Sequence, residues 1–262
     1  MIRALYTAAT GMNAQETNID VISNNLANVN TTGFKKGRAD FQDLMYQMAM
    51  EPGAQTSQNT RNPSGIQIGL GVKTAAVQKV FTQGDLVSTG NELDMAIEGE
   101  GFFQIQRPDG TLAFTRSGNF RLNDQGTIVT PDGFTLDPVI QVPQDATSIS
   151  IAQDGIVTVK QPGQAIPQQI GQITAVRFPN PAGLKALGQN MYEETGSSGV
   201  PLQGLFNQLG FGRVSQKFLE TSNVSVVEQV VNMITAQRAY EANSKAITSS
   251  DDMLSQAINL KR

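Results

Sequence analysis

A chain of 262 residues is long enough to bury a sizeable core, as one large domain or two small ones, and its 39% hydrophobic and 16% charged residues are not those of a disordered sequence. The net charge of −4 favours neither nucleic acid nor an acidic membrane surface, and the short cluster Lys35, Lys36, Arg38 reads as a solvated face or a complement to a helix dipole. Cysteine, histidine and tryptophan are all absent, which excludes disulfides, thiolate chemistry and histidine-based nucleophile systems, and removes the commonest metal ligand.

The first segment, residues 1–33, carries Leu5, Ala8, Met12, Gln15, Ile19, Ile22, Leu26 and Val29 at three-and-four spacing, which predicts a helix that packs along another helix. Gly33 can adopt the left-handed conformation that closes a helix, so the stop is expected near it. Arg3 is followed by a stretch broken by Thr7, Thr10 and Asn13, so no cleavable secretory signal is expected. Nor does any stretch approach the roughly 18 consecutive apolar residues of a membrane span.

Residues 34–65 are expected as an extended connecting segment. Phe41, Leu44, Met45 and Met48 suit a brief helix or an extended arm. From Glu51 to Gly65 the only aliphatic side chain is Ala54, and a polar stretch of that length is usually functional or ordered against a partner. Residues 66–176 switch to short alternating apolar runs, such as Phe102, Phe103, Ile105 and Ile149, Ile151. Turn signals punctuate the runs: Asp109-Gly110, Asp124-Gln125-Gly126, Asp132-Gly133 and Asp154-Gly155. This predicts an all-β central domain, barrel-like or sandwich-like. The Gly- and Pro-rich residues 177–221 are expected to lead back along the path of residues 34–65.

In the last segment, residues 222–262, Val226, Met233, Tyr240, Ile247 and Leu254 fall at seven-residue steps, with Ala239, Ala246, Met253 and Leu260 on the flank. Ser225 and Glu228 form a capping-box pattern at the start, Glu241 and Lys245 a favourable four-residue ion pair, and Lys261 and Arg262 complement the dipole at the end. The fold class is α+β: long N- and C-terminal helices paired as a coiled coil, with the β domain inserted between them. Ile2, Ala9, Val227 and Ile234 lie off the stripes and lack an obvious partner within one chain. The competing reading is a pair of ordinary amphipathic helices covering a globular core.

Candidates for chemistry are few. Asp94, Glu98 and Glu100 bring three carboxylates together, the minimum equipment of a glycosidase, but they alternate with apolar residues like the wet face of a strand. Gly65, Gly69 and Gly71 match neither phosphate-binding spacing. The Asp-Gly turns lack the clustered acids of a calcium loop. No catalytic, cofactor or metal site is expected.

The segment Ser23-Asn24-Asn25-Leu26-Ala27-Asn28-Val29-Asn30-Thr31-Thr32-Gly33-Phe34-Lys35 resembles the N-terminal signature of the rod and hook proteins of the bacterial flagellum, and Gln237-Arg238-Ala239-Tyr240-Glu241-Ala242-Asn243 resembles their C-terminal one. Residues 93–103 and Thr115-Arg116-Ser117-Gly118-Asn119-Phe120 are similar to the central domain of that family, and the length and polar segment 51–65 are most similar to its distal-rod branch. The resemblance implies a structural subunit that assembles through its terminal helices into a helical homopolymer, a hollow drive shaft carrying torque across the periplasm. It implies export by the flagellar apparatus without cleavage of the N-terminus, assembly under a rod cap, and proximal rod and hook proteins at the two ends. Ring proteins of the peptidoglycan layer and outer membrane would surround the shaft, with no nucleic acid and no membrane insertion. Segment 51–65 is then either a stiffener between subunits or a floppy linker. The rivals are another axial member, proximal rod or hook, and a secreted β-rich binding module dimerised by its helices.

Overall fold

The computed structural model describes residues 2–53, 55–57, 60–61, 63–163, 166–208 and 210–259. The chain is α+β and divides into two compact units. One comprises Met1–Leu26, Gly37–Gln78 and Val226–Arg262; the other comprises Ala27–Lys36 and Lys79–Ser225.

The first unit holds helix α1, Ile2–Ala27, and helix α2, Val226–Asn259. Helix α2 begins directly after Ser225, with Glu228 in its first turn. Leu260, Lys261 and Arg262, expected to end it, lie outside the described residues. Helix α1 stops six residues before Gly33. A turn closes it, in which the Thr31 amide donates to the Asn28 carbonyl (3.1 Å) and the Thr31 hydroxyl to the Asn28 side-chain oxygen (3.1 Å). Gly33 does adopt a left-handed φ of 69°, but beyond the helix.

The segment after Lys36 is neither helix nor loop. Gly37–Asp43 pairs with Val72–Lys79, Tyr46–Met50 with Ile66–Gly69, and Gln55–Ser57 with Thr60–Arg61, so successive nested strand pairs make up a β-arm. The described part of the polar stretch 51–65 is the tip of that arm.

In the second unit a nine-stranded sheet runs in the order Arg121–Leu122, Ile128–Val129, Thr135–Asp137, Phe102–Gln106, Leu112–Thr115, Met191–Glu193, Lys185–Gly188; Thr174–Arg177 pairs with Phe102–Gln106 and with Leu202–Leu205. Strand alternation distributes its side chains between two cores. Phe103 and Ile105 join Met95, Ile128, Leu136 and Val157 in the larger core, where the Phe103 and Phe120 rings meet edge to face at 5.3 Å. Phe102 and Phe114 join Phe178 and Tyr192 in the smaller one. The larger core also takes Ile151, Val157 and Val159 from a separate sheet, Ser148–Ile151, Ile156–Lys160 and Gln168–Gln172. Among the described residues no sheet closes on itself. The Asp-Gly turns form with Gly110, Gly126, Gly133 and Gly155 at positive φ, as the hairpin signals require.

Residues 177–221 depart from expectation. They contribute strands to this unit: Met191–Glu193 pairs with Leu112–Thr115, Arg213–Gln216 with Met95–Glu98, and Phe218–Glu220 with Leu86–Ser88. Short strands whose partners lie far along the chain leave only their Gly-rich turns visible to a local reading.

Candidate functional site: the terminal helices and a buried ion cluster

Helices α1 and α2 approach each other at two described points. A Cβ added at Gly11 would lie 2.9 Å from the Asn243 side-chain nitrogen, and the Asn25 amide donates to Gln229 Oε1 at 3.4 Å. Numbers rise along one helix as they fall along the other, so the helices run antiparallel. On α2 the residues turned inward are Gln229, Ala236 and Ser250, with half-buried Asn243 completing a seven-residue repeat. On α1 they are Ala8, Ala14, Ile22 and Asn25.

On α1 this seam includes Ala8 and Ile22 of the predicted stripe, whereas on α2 it is a second repeat beside the predicted one. The seam on α2 lies three positions from the predicted repeat, about 60° around the helix. Val226 and Tyr240 are exposed, whereas Met233, Ile247 and Leu254 are half-buried. Of the stripe on α1, Ala8 and Ile22 are buried and Leu5, Met12, Gln15, Ile19 and Leu26 are half-buried; Val29, half-buried as well, falls in the turn after the helix. Small and polar residues allow close approach of the backbones, which leaves the bulkier side chains outside. Val227, Val230, Val231, Ile234, Met253 and Ile258 on α2 and Ile2 and Tyr6 on α1 are all exposed. The β-arm adds a second apolar surface with Met45, Tyr46, Met48, Ile66 and Ile68.

Asn25 fixes the geometry of the first unit. Its side chain pairs with the backbone of Gly37 like a neighbouring strand, accepting from the Gly37 amide at 2.7 Å and donating to the Gly37 carbonyl at 2.8 Å. Of the remaining signature residues, Asn24, Asn28, Asn30 and Thr31 lie at or after the end of α1, while Gln237, Arg238 and Glu241 are exposed on α2.

In the second unit the end of the N-terminal signature is buried. The Thr32 carbonyl accepts a hydrogen bond from the Asn190 side-chain amide at 3.0 Å and the Gly33 amide donates to the Glu220 carbonyl at 2.8 Å. The Phe34 ring lies 4.3 Å from the Lys79 ammonium, a cation–π contact. Lys35, expected as part of a solvated cluster, is 1% exposed. Its ammonium pairs with Glu220 Oε1 and donates to the Thr82 carbonyl at 2.7 Å. Glu220 also receives Arg116, through Nε at 3.0 Å and Nη2 at 2.9 Å, and the Gly84 amide at 2.9 Å. Arg116 spends its other donors on the carbonyls of Gly99 (2.8 Å), Gly101 (2.7 Å) and Ile97 (3.3 Å).

Two cations and one anion are thus buried together, and the excess positive charge is spread over the carbonyls of Thr82, Gly99, Gly101 and Ile97. Burial holds the Lys35 ammonium below its ordinary pKa, against the opposing pull of Glu220. Sequence reasoning missed this cluster, because Lys35 and Glu220 are 185 residues apart and no periodicity links them. The available signal is a charge directly beside an aromatic residue, as in Phe34-Lys35.

The three carboxylates considered for catalysis are dispersed. Asp94 is buried, not on a wet face, and accepts from the Thr89 hydroxyl (2.6 Å) and the Asn91 amide (3.0 Å). Glu98 pairs with Arg213 at 2.6 Å and accepts from Ser215, bonds that hold its carboxyl below the usual range, while Glu100 pairs with Arg177 at 2.9 Å. Each acid is committed to a separate structural partner. Among the described residues no group of acids is placed to hold a metal ion, and no helix is long and apolar enough to cross a membrane.

Comparison with known proteins matches both terminal segments and a central stretch of the β unit. Three family profiles match: "Flagella basal body rod protein" over residues 5–35, "Flagellar hook protein FlgE/F/G D1 domain" over 96–159, and "Flagellar basal body rod FlgEFG protein C-terminal" over 215–260. The flagellar basal-body rod protein FlgG of Borreliella burgdorferi is 51% identical over 264 residues, covering 100% of both chains. That of Caulobacter vibrioides is 47% identical over 99% of this chain and 100% of its own, and that of Bacillus subtilis 41% identical over 100% of each. The hook protein FlgE of Treponema pallidum, 43% identical, matches only 50% of this chain and 28% of its own length. The chain belongs to the family of the flagellar basal-body rod protein FlgG.

Proposed function

We propose that this chain is a structural subunit of the flagellar distal rod, and not an enzyme, and that it polymerises with copies of itself through its terminal helices into a shaft that transmits torque from motor to hook. The observation that carries the reading is the make-up of the seam: each chain closes its own helix pair mostly with small and polar residues, Ile22 apart, and keeps Val227, Val231, Ile234 and Tyr6 exposed. Copies of the same chain, laid alongside with their helices continuing as a coiled coil, would cover those side chains. Because the two ends of a subunit present different surfaces, the contacts are heterologous and propagate as an open helix. The β-arm, with its exposed Met45, Tyr46 and Met48, would lie against a neighbouring copy, and its polar tip within 51–65 would stiffen the shaft. Family membership supports placement in the periplasmic part of the basal body, export without a cleaved signal, and proximal rod, hook and ring proteins as neighbours.

The test uses the absence of native cysteine. Tyr6→Cys and Val231→Cys are introduced together, and cells are oxidised before a non-reducing gel. In the antiparallel register position 6 faces position 248, so 6 and 231 of one chain are about 25 Å apart at 1.5 Å per residue and no disulfide forms within a chain. A long ladder of covalent multimers is expected. A pattern that stops at the dimer would refute propagation through the helices and favour a binding module dimerised by them.

A further inference from the structure

Lys35, Arg116 and Glu220 come from three distant parts of the chain. Lys35 and Glu220 also lie close to where the chain passes out of the second unit. Residues 27–36 lead from α1 into the β-arm, residue 79 marks the return from the arm, and residue 225 precedes α2. From the buried cluster we infer that Lys35, Arg116 and Glu220 form a latch that holds the strap 32–36 and the segment 220–223 on the β unit jointly, so that releasing one releases the other.

The hydrogen bonds support a joint hold. Three contacts of the strap end on 220–223: the Gly33 amide on the Glu220 carbonyl (2.8 Å), the Lys35 ammonium on the Glu220 carboxylate, and the Lys36 amide on Asn223 Oδ1 (2.7 Å). Both segments then bind the same third piece of chain. The Val80 amide donates to the Lys36 carbonyl (2.9 Å), the Asn223 side-chain amide to the carbonyls of Val80 (2.9 Å) and Thr82 (3.1 Å), and the Thr221 amide to the Asp85 carbonyl (2.9 Å). A Cβ at Gly33 would lie 2.7 Å from the Ser117 amide nitrogen, so the strap sits directly on the residues next to Arg116.

Charge decides which member can be removed without unfolding the unit. The cluster carries two positive charges and one negative. Removing Lys35 leaves the neutral Arg116–Glu220 pair with every guanidinium donor still used, so the β unit keeps its floor and loses only the strap's anchor. Removing the Glu220 charge leaves two buried cations without a counter-ion, the costliest state. Removing both charges at once returns the cluster to a single excess cation held by carbonyls.

The experiment reads at position 222 what is changed at position 35. Ser222 is buried and, among the described residues, its hydroxyl finds no hydrogen-bond partner, so Ser222→Cys provides a fitting single thiol in the full chain. Val157→Cys, in the larger core, is the control. Lys35→Met is expected to raise the rate of thiol modification at position 222 about 30-fold or more by local opening, while the thiol at 157 stays protected. Glu220→Gln is expected to raise it further, and Lys35→Met with Glu220→Gln to fall between the two. If Glu220→Gln opens the whole unit, so that the thiol at 157 reacts as well, Lys35→Met alone decides. Protection at 222 that is unchanged by Lys35→Met would overturn the latch.

Discussion

Alkaline titration isolates one side chain of the smaller core. Tyr192 lies on the strand Met191–Glu193, 4% exposed, with its ring edge-on to Phe81 at 5.2 Å and Phe102 at 6.1 Å. Burial pushes its phenol from 10.0 up to about 12, against a lesser downward pull from Arg116 and with a smaller upward push from Glu220. Between those values the folded chain keeps a proton that the unfolded chain has released. The associated stability is whole below pH 10 and is lost as the pH rises to about 12, a loss of about 3 kcal/mol. Lys35 and Lys79 act in the opposite direction. Burial lowers both, so the folded chain releases these protons first and stability rises with pH until the unfolded lysines titrate near 10.5. Urea unfolding of the β unit across this range should therefore show stability rising towards pH 10 and falling beyond it. Tyr192→Phe keeps the ring contacts and is expected to abolish the fall while leaving the rise. Parallel losses above pH 10 in the two proteins would refute the assignment.

Three further outcomes follow from single contacts. Asn25→Ala strands the Gly37 amide and carbonyl and should destabilise the first unit by about 2–3 kcal/mol, read as faster hydrogen exchange at the Gly37 amide. Gly33→Ala forces a Cβ onto the backbone of Arg116 and Ser117 at positive φ, and thermal unfolding should show a loss of about 2–4 kcal/mol, more than a glycine-to-alanine change costs at an open turn. Ser222→Ala removes a buried hydroxyl without a partner among the described residues and should raise stability by about 1 kcal/mol in urea unfolding, where most buried substitutions lower it.

The helices are legible in the sequence because their apolar periodicity is local, and the hairpin turns because Asp-Gly pairs demand positive φ. What is not legible depends on partners far along the chain. The largest apolar residues of α1 and α2 mark where side chains need covering, not which neighbour covers them, so on α2 they point beside the seam, although on α1 Ile22 lies in it. Gln229, Asn243 and Ser250 carry no apolar signal and nevertheless face inward. The pairing of the β-arm is hidden for a related reason: Tyr46–Met50 alternates over only five residues, which suits a brief helix or an extended arm, and its partner Ile66–Gly69 lies beyond the polar stretch. Lys35 defeats a local reading because a short cationic run is usually solvated, and its counter-charge lies on the last strand before α2.

The polar seam also explains how a helix pair with few large interior side chains holds one register. A seam of leucines tolerates sliding, because each leucine finds another one turn away. Asn25 does not. Its amide must meet both the Gly37 carbonyl and Gln229, and its oxygen the Gly37 amide. A slip of α2 by one turn would move Gln229 about 5.4 Å along the axis and leave its buried amide unpaired, at a cost of about 1–3 kcal/mol. The same slip would bring Ala239 or Ile247 opposite Gly11 in place of Asn243. Alanine would leave a gap there, and isoleucine is too bulky for a site where a Cβ at Gly11 already comes within 2.9 Å of the Asn243 side-chain nitrogen. A subunit whose helix pair is set by polar contacts can leave its bulky apolar residues outside without losing its own geometry, and those are the residues that a polymer of identical subunits would use.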